Sequence, residues 1–334
     1  MSDKPILQKI AEMLTGRKYV EPANQTPLEA LEYRVRAILP EQYQDYESVE
    51  PVSMGTAPLK YGADGKVAWD EIWGSFCDLA MAGGPPHKGS LLEPGSPEQI
   101  EREHVAYRQV VDEICRGIKL ATGLDVHGSP GPGWVAVECE GAEMAGWLAR
   151  AIAMENVSVR LEGNYVYLPA GPAYRLPKEI KNVVTVIAKT AHYWEGHMWL
   201  SQQRTVGSLF ELLAAECPLV QPVFGEHYLD DLGYQNTCAR LAESIQASTG
   251  LKRSGHRYAG WLGLECGDVK QAIWLMRALV ASNVLARREG TVLFVPVNPE
   301  SDPDGRIVGR QVAVVFGLAA ERGVVTGDVN PRIE

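Results

Sequence analysis

Three clusters in this 334-residue chain combine residue types that chemistry uses at spacings that could bring them together. The first is the run Gly83-Gly84-Pro85-Pro86-His87-Lys88-Gly89. Its glycines would let a ligand approach the backbone, and His87 with Lys88 could hold an anion or move a proton. The run matches neither the P-loop nor the dinucleotide-binding fingerprint. The second is His192-Tyr-Trp-Glu195-Gly-His197. On a helix, His192 and Glu195 are three residues apart and share a face, while His197 lies further round. That spacing resembles helical metal ligation without the HExxH pattern. The third is Glu226, His227, Asp230 and Asp231. These clusters yield an acid–base set of His87, Lys88, His192 and Glu195, and a metal-ligand set of His192, Glu195, His197 and His227. Each cluster also has a structural explanation: a rigid loop, a half-buried helix flank, and acidic residues ahead of a helix N-terminus.

A fourth group sits on two similar strands, WVAVEC and WLGLEC. Side chains alternate along a strand, so Trp134 and Glu138 share one face, as do Trp261 and Glu265. Arg160 and Arg287, on a neighbouring strand, are expected beside Glu138 and Glu265. Trp134, Glu138, Arg160, Trp261, Glu265 and Arg287 therefore form a candidate cofactor-binding or ligand-binding set. Two such faces could meet as a dry interface or as a cleft with aromatic walls. Cys139 and Cys266 travel on the opposite face, just before a helix N-terminus that could lower a thiol pKa. As small buried hydrophobes they would do no chemistry. His127 and His256 lie in Gly-rich turns and are weaker candidates. No nucleophile elbow and no Ser-His-Asp pattern occurs.

The elements that position these groups occur twice. Residues 122–169 and 249–296 align without a gap, with roughly 40% of positions identical, the mark of a supersecondary unit used twice. Upstream, Ser96, Pro97 and Gln99 announce a helix by a capping box with proline at its first position. Its stripe is Ile100, His104, Tyr107, Val111, Ile114 and Ile118, ending at Gly123. The later stripe is Tyr234, Cys238, Leu241 and Ile245, ending at Gly250. After each strand a helix is expected, then a hairpin turning on Glu-Gly. A further helix is expected from about Trp69 to Ala82, with a partner near Ser208. A long helix carrying Ile180 to Met198 joins the repeats, and 306–323 is its degenerate equivalent. The fold class is α+β, an internally duplicated unit of two helices, an antiparallel sheet crossed by a helix, and a closing helix, with pseudo-twofold symmetry. The divisions are 1–68, an N-terminal extension with a helix over Leu28–Ile38; 69–205, repeat one; 206–325, repeat two; and 326–334, a C-terminal tail.

A net charge of −10 argues against general nucleic-acid or anionic-membrane binding. No signal peptide or long apolar span is read at the N-terminus, and the six cysteines form no CxxC. A soluble cytoplasmic protein with reduced thiols is expected. The leading functional expectation is a protein that binds a small molecule or metal-containing ligand between its repeats. One alternative is an enzyme using His87, Lys88, His192, Glu195 and His227. Another is a structural or assembly subunit, including a homo-oligomer, with the Trp-bearing face as partner surface.

Overall fold

A computed structural model of the chain describes residues 24–44, 58–71 and 78–325. The N-terminal residues 1–23, Cys77 and the tail 326–334 lie outside the described residues. The first helix, α1 (Pro27–Ile38), opens on a capping box between Thr26 and Glu29. The first half continues with α2 (Pro97–Arg102), α3 (His104–Thr122), β1 (Asp125–Gly128), β2 (Trp134–Glu138), α4 (Ala142–Met154), β3 (Arg160–Glu162), β4 (Tyr165–Pro169) and α5 (Lys181–His197). The second half comprises α6 (Leu200–Glu216), α7 (Leu232–Thr249), β5 (Lys252–Arg253), β6 (Trp261–Glu265), α8 (Val269–Val280), β7 (Arg287–Glu289), β8 (Val292–Pro296) and α9 (Arg306–Glu321).

The class is α+β: two four-stranded antiparallel sheets, ordered β1-β2-β4-β3 and β5-β6-β8-β7, set among helices. Each hairpin closes through two residues, Gly163-Asn164 and Gly290-Thr291, with glycine at φ 60° and 57°. Positive φ at the first loop position alone is the mark of a type II′ turn. In the first half α3 and α4 both pack on α5, and in the second α7 and α8 both pack on α9. Helix α1 packs on the second half, touching α6, α8 and α9. The buried Trp147 indole donates to the Ile38 carbonyl (2.8 Å) and fixes α1 from the first half. Among the described residues, no helix is long and apolar enough to cross a membrane.

Three local expectations are corrected. The helix expected across 69–82 is two 3-10 turns, Trp69–Glu71 and Ala80–Ala82, with residues 72–77 between them outside the described residues. The stripe from Ile100 to Ile118 breaks at Glu103, which leaves the helical region at ψ 37°. His104 is thereby exposed, and Val110, Ile114 and Ile118 carry the core contact. Arg160 and Arg287 do not flank Glu138 and Glu265, because β4 and β8 lie between those strands. Arg160 pairs with Glu162 and Arg287 with Glu289 (2.7 Å), each on its own strand.

The halves are tied together by two asparagines in the left-handed region, Asn156 at φ 60° and Asn283 at φ 62°. Asn156 accepts from Arg287 Nη1 (3.1 Å) and donates to the carbonyls of Lys88 and Arg288 (both 2.8 Å). Asn283 accepts from Arg150 Nη2 and donates to the Cys217 carbonyl (2.7 Å). Each asparagine thus takes a buried arginine from the opposite half. Replacing either with alanine should lower the unfolding free energy by about 3 kcal/mol in urea titrations, from left-handed strain plus lost buried hydrogen bonds. Glycine at the same position should recover about 1 kcal/mol of that loss, because it removes the strain but not the lost bonds.

Candidate functional site

A pocket of about 290 Å³ opens between α7, the loop after β5, and β6. Helix α7 begins at Asp231, whose carboxylate caps the Tyr234 amide (2.7 Å), and projects Tyr234, Gln235 and Cys238 into the pocket. Residues Arg253, His256, Arg257 and Tyr258 form the facing wall, and Trp261 closes the end. The wall is anchored at Gly260, which has φ +77° and whose amide donates to the Tyr234 hydroxyl (3.0 Å). A Cβ there would sit 2.1 Å from the Val223 carbonyl oxygen, so only glycine lets the loop lie this close to the 222–223 segment.

Behind this wall lies Arg287, fully buried, its guanidinium 3.9 Å from the Phe294 ring centroid, 4.6 Å from Tyr258 and 5.1 Å from Trp261. Aromatic faces stabilise a desolvated guanidinium. Glu289 accepts from Arg287 Nη1, from the Leu91 amide (3.1 Å) and from the Tyr258 hydroxyl (3.2 Å). His256 Nε2 stands 4.0 Å from the same carboxylate. The neighbouring Glu93 carboxyl is raised by burial and by repulsion from Glu226 and Glu289, with Arg287 opposing. Leu91 and Glu93 of the first half thus approach the Glu289 carboxylate behind the wall, while the pocket itself is lined by the second half. Burial pushes the Tyr234 hydroxyl up to about 12 and raises the Cys238 thiol, while Arg253 opposes both shifts. At neutral pH the pocket presents protonated, uncharged Tyr234 and Cys238 alongside cationic Arg253 and Arg257.

The corresponding face of the first half is filled. Trp134 is buried against Phe224, ring centroids 4.8 Å apart, and Arg160 lies over Trp134 and Tyr167. Where the second half has His256 and Tyr258, the alignment places Ser129 and Gly131. Glu138 and Glu265 are exposed at the strand ends, away from the pocket. Trp134 and Trp261 are both buried, so the Trp-bearing faces are not open partner surfaces.

The residues singled out from the sequence occupy several places. The His87 ring donates from Nε2 to the Thr185 hydroxyl on α5 (2.9 Å), which itself donates to the Lys181 carbonyl (2.6 Å). Its backbone amide donates to Glu155 Oε2 (2.7 Å), and Glu155 forms a fully buried ion pair with Lys189 (2.7 Å). The Lys88 amide donates to the Glu155 carbonyl (3.2 Å), so this carboxylate residue organises the whole Gly-rich loop. His192 lies seven residues beyond Thr185 along α5, roughly 10 Å by the helical rise. The structure therefore does not bring His87 and Lys88 to His192 and Glu195. His192 meets His197, which helical spacing put further round the helix: the two Nε2 atoms are 3.2 Å apart. Glu195 and His197 line a second hollow of about 430 Å³ with Glu41 and Trp199. His227 stands apart, exposed, its ring stacked on Tyr228 at 4.4 Å. Among the described residues, no group of three or more His, Cys, Asp or Glu is placed to hold a metal, so the four-residue set does not assemble.

Cys139 and Cys266 are not activated by the helices that follow them. Burial and adjacent carboxylates push both thiols up to about 12. Arg253, Arg257 and Tyr258 were not singled out from the sequence, although Lys252, Arg253, His256 and Arg257 form a basic run free of carboxylates in an acidic chain.

The His87 ring gives a pH test. Burial, then the charges of Lys189, Lys181 and Lys88, holds its imidazole down at about 3, with Asn182 opposing. The unfolded ring takes up its proton near pH 6.5, the folded one only near 3. Between those values the unfolded state binds more protons, so acidification destabilises the fold, by up to about 1.4 kcal/mol per pH unit from this group. Stability measured from pH 7 to 4 should fall less steeply in H87Q than in the wild type, and the His87 ring should remain neutral by NMR throughout.

No protein family profile matches this sequence, and neither a curated protein nor a solved structure is significantly similar to it, so function is argued from the site itself.

Proposed function

We propose that this protein binds a small anionic molecule carrying a planar ring, in the pocket formed by α7, the 253–260 loop and β6. The observation that carries the reading is the pocket wall. Arg253 and Arg257 have no ion pair among the described residues, and they share a 290 Å³ hollow with Tyr234, Tyr258 and Trp261. The pocket is at the small end of the range for ligand sites, about 300–1,000 Å³. Two guanidinium groups favour a carboxylate or phosphate, and the aromatic walls favour a flat apolar body. The Trp261 indole N–H is buried without an acceptor among the described residues, a further polar group in the same wall.

We also read the chain as one α+β unit used twice about a pseudo-twofold axis, with the proposed pocket lined entirely by the second copy. The sequence alignment supports this, as do the parallel strand orders. Tyr107 takes the Gly133 amide (2.9 Å) as Tyr234 takes that of Gly260 (3.0 Å). The described cysteines are all free, which fits a cytoplasmic protein. A catalytic reading has one observation in its favour. His256 faces Glu289, which is held by Arg287, Tyr258 and the Leu91 amide, a geometry that would orient a general base over the pocket.

Thermal-shift and Trp-fluorescence titrations against aromatic carboxylates, aromatic phosphates and their neutral isosteres test the binding reading. An anionic member should raise the melting temperature while its neutral isostere does not. R253A and R257A, both at exposed positions, should each weaken binding about tenfold, or about 1.4 kcal/mol, with the unliganded melting temperature unchanged. Equal binding of neutral isosteres, or full affinity in both variants, would overturn the reading. Turnover of a bound compound that is lost in H256A would favour catalysis.

A further inference from the structure

We propose that His192 and His197 form a two-imidazole site for a late first-row divalent cation at the C-terminal end of α5. This site is independent of the anion pocket. It draws on different residues and a different hollow.

The geometry is the main support. The two Nε2 atoms are 3.2 Å apart, and the rings are inclined at 74° with centroids 4.9 Å apart. Two imidazole nitrogens bound to one ion at about 2.0–2.1 Å lie about 3.3 Å apart at a tetrahedral angle and about 2.9 Å apart at a right angle. The observed separation lies between these values, so both rings could engage one ion with little movement. The two histidines are five positions apart, more than one helical turn, and their rings meet over the last turn of α5.

The surroundings favour a cation. The end of a 17-residue helix carries partial negative charge from its last carbonyls. Glu195 and Glu41 line the hollow beside His197, and Glu41 is held by the Trp199 indole (2.8 Å). Glu140 lies close enough to Glu195 to raise its carboxyl further, beyond the effect of burial. Burial, then His197, lowers the proton affinity of the His192 imidazole. An ion shared by both imidazoles would replace the hydrogen bond between their Nε2 atoms and relieve the carboxylate crowding. With two protein nitrogens and no third ligand assembled among the described residues, the remaining positions would be open to water or an exogenous ligand. Imidazole donors suit Cu²⁺, Ni²⁺ and Zn²⁺ rather than Mg²⁺ or Ca²⁺.

The test uses the full chain stripped with chelator and titrated with Cu²⁺ and with Zn²⁺ by calorimetry, with electron paramagnetic resonance of the copper form. Wild type should take up one equivalent, with hyperfine coupling from two imidazole nitrogens. H192A, H192N and H197A should each weaken binding by about tenfold or more, since loss of a ligand costs at least as much as loss of an outer-shell partner. H227A and H256A should bind like wild type. The asparagine variant keeps the polarity of an exposed position, so a folding defect in H192A would not decide the matter. No uptake by wild type, or an unchanged equivalent in the H192A/H197A double variant, would overturn the proposal.

Discussion

Among the buried arginines that cross between the halves, the two held by an asparagine of the other half set the terms for the rest of this fold. Arg150 is fully desolvated, its guanidinium 3.7 Å over the Phe210 ring, bonded to the Gly146 carbonyl (2.6 Å) and to Asn283. Burial pushes it down to about 9, so it remains charged at neutral pH. Arg287 has a carboxylate partner and three aromatic neighbours, yet its Nε and Nη2 have no acceptor among the described residues. Burying such charges is expensive, and removing a partner costs more than the pair contributes. Besides a partner in its own half, each arginine bonds an asparagine from the other half, and each asparagine sits at a left-handed position shortly after a helix. The helix ends, the hairpins and the linkers must therefore all be in register for either charge to be satisfied. That coupling makes the two halves one cooperative body.

The elements legible in the sequence are those whose causes are local. Ser96 with Gln99, Gly123 and Gly250 as left-handed caps, and the two-residue turns at Gly163 and Gly290 depend on residues within a few positions, and each forms as its chemistry dictates. Alternation along β2 and β6 correctly separates the faces. It does not say which strand is the neighbour, and that is why Arg160 and Arg287 were expected beside the wrong carboxylates. Strand order is a tertiary fact: the hairpin brings β4, not β3, against β2. The His192–His197 contact was illegible for a related reason. Helical spacing places residues five apart on different faces, and it does not say which way two long rings will turn at a helix end.

The candidate pocket shows how one scaffold could be specialised. Residues 249–260 carry Lys252, Arg253, His256, Arg257 and Tyr258 where the first half has Asp125, Val126, Ser129, Pro130 and Gly131. The framework around this difference is the same in kind: a tyrosine from the preceding helix, a positive-φ glycine, and a tryptophan opening the central strand. In the first half Phe224 fills the space over that tryptophan. Residues that differ between the halves on an otherwise matched framework are free of the constraints of folding, and there the loop is the best indicator of function. The basic run was readable by that same criterion.

Charge then divides the molecule. With a net charge of −10, a random surface loop would be expected to carry carboxylates, and the 252–257 run carries none. Arg287 does not add freely to its field, because Glu289 neutralises it beneath the aromatic layer. On the proposed reading, anion binding in the pocket would rest on Arg253 and Arg257. Their exposure in solvent reduces the attraction of either alone, since screening weakens interactions between exposed charges. A ligand that displaces water from the pocket raises the strength of both contacts at once, as its ring settles between Tyr258, Tyr234 and Trp261. Under the proposed reading, apolar and ionic recognition would therefore not be separable: the ring would supply the desolvation that makes the two guanidinium groups selective.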